Sequence, residues 1–171
     1  MTGDACHVVL VGLMATGKST VGALVAERLG RRLLDSDQQI ETAQGRSVRD
    51  IFESDGEPTF RALERQVMVD ALACTDPLVI AAAGGVVLDA DTRRALRGGR
   101  SHVVWLRADP ELLAARAVTA DHRPLLDDDP LARMRKMAVD REALYAEVAD
   151  VIIDVADHTP DEIAALIEAA A

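Results

Sequence analysis

Cysteine, aromatic residues and positive charge are all scarce in this chain of 171 residues, and each shortage narrows what it can be. Cys6 and Cys74 stand alone, with no CxxC pair and no Cys/His spacing, which argues against a zinc site and against a disulfide framework. Two buried thiols are expected instead. Aromatics make up only 2% of a chain that is 49% hydrophobic, so the core must be assembled from Ala, Val, Leu and Ile, a composition suited to a sheet covered by helices. Nineteen Lys and Arg against 29 Asp and Glu leave a net charge of -10, the wrong sign for gripping nucleic acid through its phosphates. Any anion site must therefore be a local concentration of Arg, Lys and backbone N–H groups. No apolar run approaches the ~18 residues of a membrane span, and the N-terminal stretch carries Asp4 and no basic leader. A cytoplasmic protein without a membrane partner is expected.

What remains alternates. Short apolar runs over residues 7–12, 32–37, 78–85, 102–108 and 150–155 have strand length, and longer stretches with helical periodicity lie between them. The periodicity predicts helices over 18–29, 37–43, 47–54, 57–73, 91–97, 110–118, 130–147 and 160–170. Such alternation implies right-handed βαβ units, hence an α/β fold with a parallel sheet buried on both faces. The length suits a single domain over residues 1–171. Gly30, Gly45 and Gly98-Gly99 follow helical stretches where left-handed C-caps are expected. Residues 119–132 (TADHRPLLDDDPLA) mix charge with two prolines and show no period, which predicts a mobile loop between two helices.

Gly12-Leu-Met-Ala-Thr-Gly17-Lys18-Ser19 fits GxxxxGK[ST] and sits between a predicted strand and a predicted helix, the context that motif requires. The two glycines let successive N–H groups turn inward onto phosphate oxygens, Lys18 reaches the β- and γ-phosphates, and the Ser19 hydroxyl takes a Mg²⁺ position. Gly12, Ala15, Thr16, Gly17, Lys18, Ser19 and Thr20 thus form the expected nucleotide loop, with ATP and Mg²⁺ as cofactors. No NKxD-like segment is present, which disfavours GTP.

The acceptor side is read from Asp35-Ser36-Asp37 at the end of the second strand. Strand alternation sends Asp35 and Asp37 toward one cleft and Ser36 away, one carboxylate serving Mg²⁺ and the other an acceptor hydroxyl; a helix N-cap is the competing explanation. Farther along, Arg61 and Glu64 stand three apart on one helix face, a spacing that a surface ion pair also explains. Ala83-Gly84-Gly85 closes the third strand, where small residues allow close backbone approach to a ligand. Arg123, and Arg141 with Tyr145, add positive charge to an acidic chain.

In this order the residues resemble shikimate kinase along almost the whole length: the GxxxxGKST loop, DSD for that family's DTD, the GExxFRxxE stretch, the glycine segment, RPLL, and an RxxLY helix. The resemblance implies a three-layer nucleoside-monophosphate-kinase-like P-loop fold, a five-stranded parallel sheet flanked by helices, with residues 119–132 as a lid. It implies an ATP-dependent phosphotransferase of the shikimate pathway to chorismate and the aromatic amino acids. The small-molecule acceptor is shikimate, phosphorylated at its 3-hydroxyl. Carried onto this chain, Asp37, Arg61, Gly84, Gly85 and Arg141 are the expected shikimate contacts, and Asp37 takes the attacking hydroxyl. Asp35 joins Ser19 in the magnesium shell. Lys18 and Arg123 act on the phosphates, Arg116 and Pro160 resemble the pair that sandwiches adenine, and Val48, Phe52, Phe60, Pro124 and Leu125 wall the ring. A monomer is expected.

Four departures from the family pattern stand out. Ala15 replaces a common loop glycine, and Ala83 replaces the first of three usual glycines, with a strain of roughly 1 kcal/mol if that position needs positive φ. The preceding strand offers only alanines where relatives carry a polar magnesium-shell group, and no proline precedes Leu144-Tyr145. The alternatives are a gluconate-type hydroxy-acid kinase, which Phe52 and Phe60 disfavour, and a nucleotide-binding module that has lost turnover.

Overall fold

The computed structural model describes residues 6–118 and 129–171. Five strands, β1 (His7–Val11), β2 (Arg32–Asp35), β3 (Leu78–Ala81), β4 (Ser101–Arg107) and β5 (Val151–Asp154), form one sheet. Its order is β2-β3-β1-β4-β5, and every neighbouring pair is parallel. The strand residues are Val, Leu and Ile at successive positions because both faces are covered: Val8 and Leu10 face one helical layer, Val9 and Val11 the other.

The layer over Val8 and Leu10 consists of α1 (Lys18–Leu29) and α8 (Pro160–Ala170). Gly22 lets α1 lie close, since a Cβ there would stand 3.0 Å from Leu33 Cδ1 and 3.6 Å from Ala81 Cβ. The opposite layer holds α4 (Glu57–Leu72), α5 (Ala90–Arg97), α6 (Pro110–Val118) and α7 (Pro130–Val148). Between β2 and β3, α2 (Ser36–Gln44) and α3 (Val48–Asp55) pack on α4 around a separate small core of Ile40, Ile51 and Phe60. β1 lies at the switch point, with β3 on one side and β4 on the other, so the crevice beyond its carboxyl end is where a ligand is expected.

The eight expected helices are found with ends shifted by a residue or so, while four strands are shorter than expected: β1 by one residue, β2 and β5 by two, and β3 by four. β2 ends at Asp35 because α2 begins at Ser36, and β3 ends at Ala81, before the glycine segment. Gly30 and Gly45 close their helices in the left-handed conformation, but Gly98 does not: its φ is -75°, and the positive φ falls on Gly99. Cys6 and Cys74 form no disulfide among the described residues and are half-buried, not fully buried. Among the described residues no helix is long and apolar enough to cross a membrane. The stretch 119–128 of the expected lid, including Arg123, Pro124 and Leu125, lies outside the described residues.

Candidate active site

A cavity of about 490 Å³ opens at the carboxyl ends of β1, β2 and β3, walled by the loop after β1 on one side and by α2, α3 and α4 on the other. The loop's shape follows from its glycines. Gly12 has φ +143°, and a Cβ there would stand 2.4 Å from Leu106 O on β4, so only glycine lets the chain leave β1 in this direction. Gly17 turns the chain into α1 at φ +93°. Thr16 is buried beneath the loop, its hydroxyl donating to Leu13 O at 2.8 Å. Lys18 Nζ donates to Gly12 O and Leu13 O at 2.9 and 2.8 Å, so the ammonium rests on the loop's own carbonyls. Ala15, Gly17, Lys18, Ser19 and Thr20 all line the cavity.

Backbone strain in this wall falls on Ala15, the one described non-glycine residue with positive φ, at 65°. Ala83, where the missing glycine raised the same concern, does not have positive φ, so that substitution carries no left-handed strain.

Asp35 ends β2 and caps α2 at once: Oδ1 accepts from the N–H groups of Asp37 and Gln38 at 3.1 and 3.3 Å. Its other oxygen, Oδ2, accepts from Ser19 Oγ at 2.5 Å. The cap explanation therefore applies to Asp35 without removing it from the site, and Asp37 is not the cap. Nor does strand alternation bring the two carboxylates together, because Asp37 belongs to the first turn of α2; the turn from strand to helix puts both on the cavity wall. Ser36 points away as expected and is buried, its Oγ accepting from Ala83 N at 2.8 Å.

Two hard oxygen donors in contact at the cavity wall suit Mg²⁺, which keeps several waters and phosphate oxygens and needs only one or two protein ligands. Among the described residues no group of three or more His, Cys, Asp or Glu could hold a metal ion.

On the acceptor side, Arg61 is held by Glu64 (Nη1 to Oε2, 2.5 Å) and Glu57 (Nη2 to Oε1, 2.8 Å), with its guanidinium carbon 5.6 Å from the Phe60 ring centroid. The pair with Glu64 is not a surface one, for Glu64 is 2% exposed and its Oε1 has no hydrogen-bond partner among the described residues. Burial raises the Glu64 pKa; Arg61 and Arg141 oppose the shift, and nearby Asp37 adds to it. Arg141 is itself buried, lines the cavity within electrostatic reach of Glu64, and makes no ion-pair contact with a carboxylate among the described residues. Gly85 lies against Arg61, where a Cβ would be 1.8 Å from Nη1, and a Cβ at Gly84 would stand 3.3 Å from Gly12 O and 3.5 Å from Arg141 Nη1. The Phe52 and Phe60 rings, 4.7 Å apart, form the apolar wall with Val48.

The fold thus brings Lys18, Ser19, Asp35, Asp37, Arg61, Gly84, Gly85, Arg116 and Arg141 around one cavity. Pro160 is exposed at the first residue of α8 and is not among the residues that line this cavity. Sequence reasoning passed over the burial of Glu64 and the contacts of Ser36 and Tyr145. The only signals were spacing, three residues beyond Arg61 and four beyond Arg141, and the away-facing position between two aspartates.

The protein-family model for shikimate kinase matches residues 14–170. A shikimate kinase of Streptomyces avermitilis is 46% identical over 158 residues, 92% of this chain and 91% of that protein. One from Thermobifida fusca is 44% identical over 159 residues, 93% of this chain and 91% of that protein. Among solved structures, the shikimate kinase from Acinetobacter baumannii in complex with shikimate superposes with a TM-score of 0.90 at 36% identity, covering 95% of this chain and 90% of that one.

Proposed function

Because the chain belongs to the shikimate kinase family, we propose that it transfers the γ-phosphoryl group of ATP to the 3-hydroxyl of shikimate, giving 3-phosphoshikimate and ADP. One observation carries the choice of acceptor: a buried arginine in ion-pair contact with no carboxylate among the described residues, Arg141, shares a cavity with the phosphate loop, Arg61 and Asp37. A desolvated guanidinium in that state favours a planar carboxylate that it can meet with two parallel N–H donors. The acceptor must then carry a carboxylate at one end and a hydroxyl at the other, with an apolar face toward Phe52 and Phe60.

In this reading the loop amides and Lys18 hold the phosphates, and Ser19 and Asp35 hold Mg²⁺, which neutralises phosphate charge when bound. Arg61, Arg141 and the Gly84 and Gly85 amides hold the carboxylate, which leaves the 3-hydroxyl beside Asp37. As the new O–P bond forms, the bond from the γ-phosphorus to the bridging oxygen breaks and its electron pair leaves with ADP. The hydroxyl proton passes to Asp37. Arg123 acts on the phosphates, and Arg116 with Pro160 takes the adenine. Residues 1–171 act as one kinase domain, a cytoplasmic monomer.

ADP release measured with shikimate, gluconate, AMP and no acceptor tests the assignment. Turnover with shikimate well above the other three is expected; ADP production with gluconate and none with shikimate would overturn it.

A further inference from the structure

The strand-to-helix segment Ala83-Gly84-Gly85 is held by hydrogen bonds on three sides. Ala83 N donates to Ser36 Oγ at 2.8 Å, Val86 N donates to Ala83 O at 3.1 Å, and Leu88 N donates to Gly85 O at 2.9 Å. The remaining carbonyl, Gly84 O, accepts from the Tyr145 hydroxyl at 2.6 Å. After this tally, the N–H groups of Gly84 and Gly85 are the only backbone donors of the segment without a partner among the described residues, and both residues line the cavity. Two successive open amides of this kind form an anion-binding nest.

Tyr145 sits one helical turn beyond Arg141 on α7, is 1% exposed, and stacks on Trp105 with ring centroids 5.5 Å apart. Its ring is therefore fixed, and the hydroxyl stays a donor throughout the working pH range, since burial pushes its pKa up to about 12 against the opposing effect of Arg141. A trans peptide is planar, so the Gly84 C=O and the Gly85 N–H lie on opposite edges of one unit. Whatever fixes the carbonyl fixes the amide.

We propose that Tyr145 is a positioning residue for the acceptor: by holding Gly84 O, its hydroxyl keeps the Gly84–Gly85 peptide oriented with the Gly85 N–H toward the acceptor carboxylate. The inference rests on the functional reading above. Without the hydroxyl, the partly buried carbonyl loses its donor, and rotation of the peptide turns an oxygen, not an amide, toward the carboxylate. The carboxylate is remote from the transferring hydroxyl, so the loss falls on acceptor binding and not on the chemical step.

Tyr145→Phe keeps the ring on Trp105 and deletes only the hydroxyl. Shikimate KM should rise about tenfold, the scale of one buried hydrogen bond lost to an ionised partner, while ATP KM and kcat at saturation stay within about twofold. A lower melting temperature with unchanged shikimate KM assigns Tyr145 to stability alone and overturns the proposal, as does an equal rise in both KM values. Wild-type turnover on the acceptor panel is measured first: if it favours gluconate, the functional reading fails, and the same KM comparison is made with gluconate, also a carboxylate. Should the variant not fold, ¹⁵N-glycine spectra of the wild type decide. Shikimate must shift the Gly85 amide, and an unshifted amide overturns the proposal.

Discussion

Gly85→Ala puts a single methyl where the Arg61 guanidinium lies. Gly85 has φ -88° and ψ -6°, a conformation alanine adopts without penalty, so the backbone does not resist the change. The added Cβ would stand 1.8 Å from Arg61 Nη1, inside the 3.0 Å that real Cβ contacts respect, so Nη1 must retreat by at least the difference, 1.2 Å. Arg61 can swing, but Glu64, its buried partner, cannot follow, and loss of that hydrogen bond costs about 1–3 kcal/mol of stability. The larger effect is on function: a carboxylate clamp misplaced by about 1 Å typically costs about 10²-fold, expected here in kcat/KM for shikimate. ADP release with varied shikimate at saturating ATP measures it, beside ATP KM as a control for the phosphate loop. Repeating Gly85→Ala in an Arg61→Ala background closes a double-mutant cycle. With the guanidinium gone, the methyl should cost little more; an undiminished second penalty would refute the argument that Gly85 acts by making room for Arg61.

Asp37→Asn deletes one charge at nearly constant shape. Activity should fall by roughly 10² or more, whereas stability should change by no more than about 1 kcal/mol, the scale of a first-turn charge at a helix N-terminus; full single-turnover activity would remove Asp37 from the chemistry. Ala15→Gly relieves the positive φ in the phosphate loop and should stabilise the protein by about 0.5–1 kcal/mol, read as a raised melting temperature, and an unchanged or lower one counts against strain at this position. His7 is buried with Nδ1 accepting from Leu78 N at 3.1 Å, and burial, helped by Arg100, lowers its pKa below 6.5. The folded state therefore prefers neutral imidazole: stability is fully present above pH 6.5 and is lost as pH falls from there toward the folded-state value. His7→Asn, whose Oδ1 can stand in for Nδ1, should flatten that part of the melting-temperature profile; an unaltered profile would assign the loss to other groups.

Much of this architecture is written locally. The strands are short β-branched runs and the helices end at residues that cap them, so element order and most boundaries follow from periodicity alone, and the phosphate loop follows from two glycines at fixed spacing. The acceptor side was legible only in part, because its geometry depends on contacts between distant segments. Ser36 reaches Ala83 across 47 residues and Tyr145 reaches Gly84 across 61, and nothing near either residue announces its partner. Strand alternation was the wrong argument for Asp37, since the chain changes from strand to helix between the two aspartates. The strain expected at Ala83 lies at Ala15, because backbone angles there are set by the loop's passage beneath the phosphate site and not by the kind of residue replaced. Burial of Glu64 depends on the stacking of α4 on the sheet, which the (i, i+3) spacing cannot report.

The resting place of Lys18 changes how its charge enters the energetics. The ammonium donates to Gly12 O and Leu13 O, so a phosphate contact made at the expense of either replaces one good hydrogen bond with another of similar strength. The ground state therefore gains little from this side chain, and the advantage accumulates only as charge shifts onto the phosphoryl oxygens during transfer. Nucleotide affinity and catalytic power are thereby set by different parts of one loop, the first by its amides and the second by a cation held in reserve on its carbonyls.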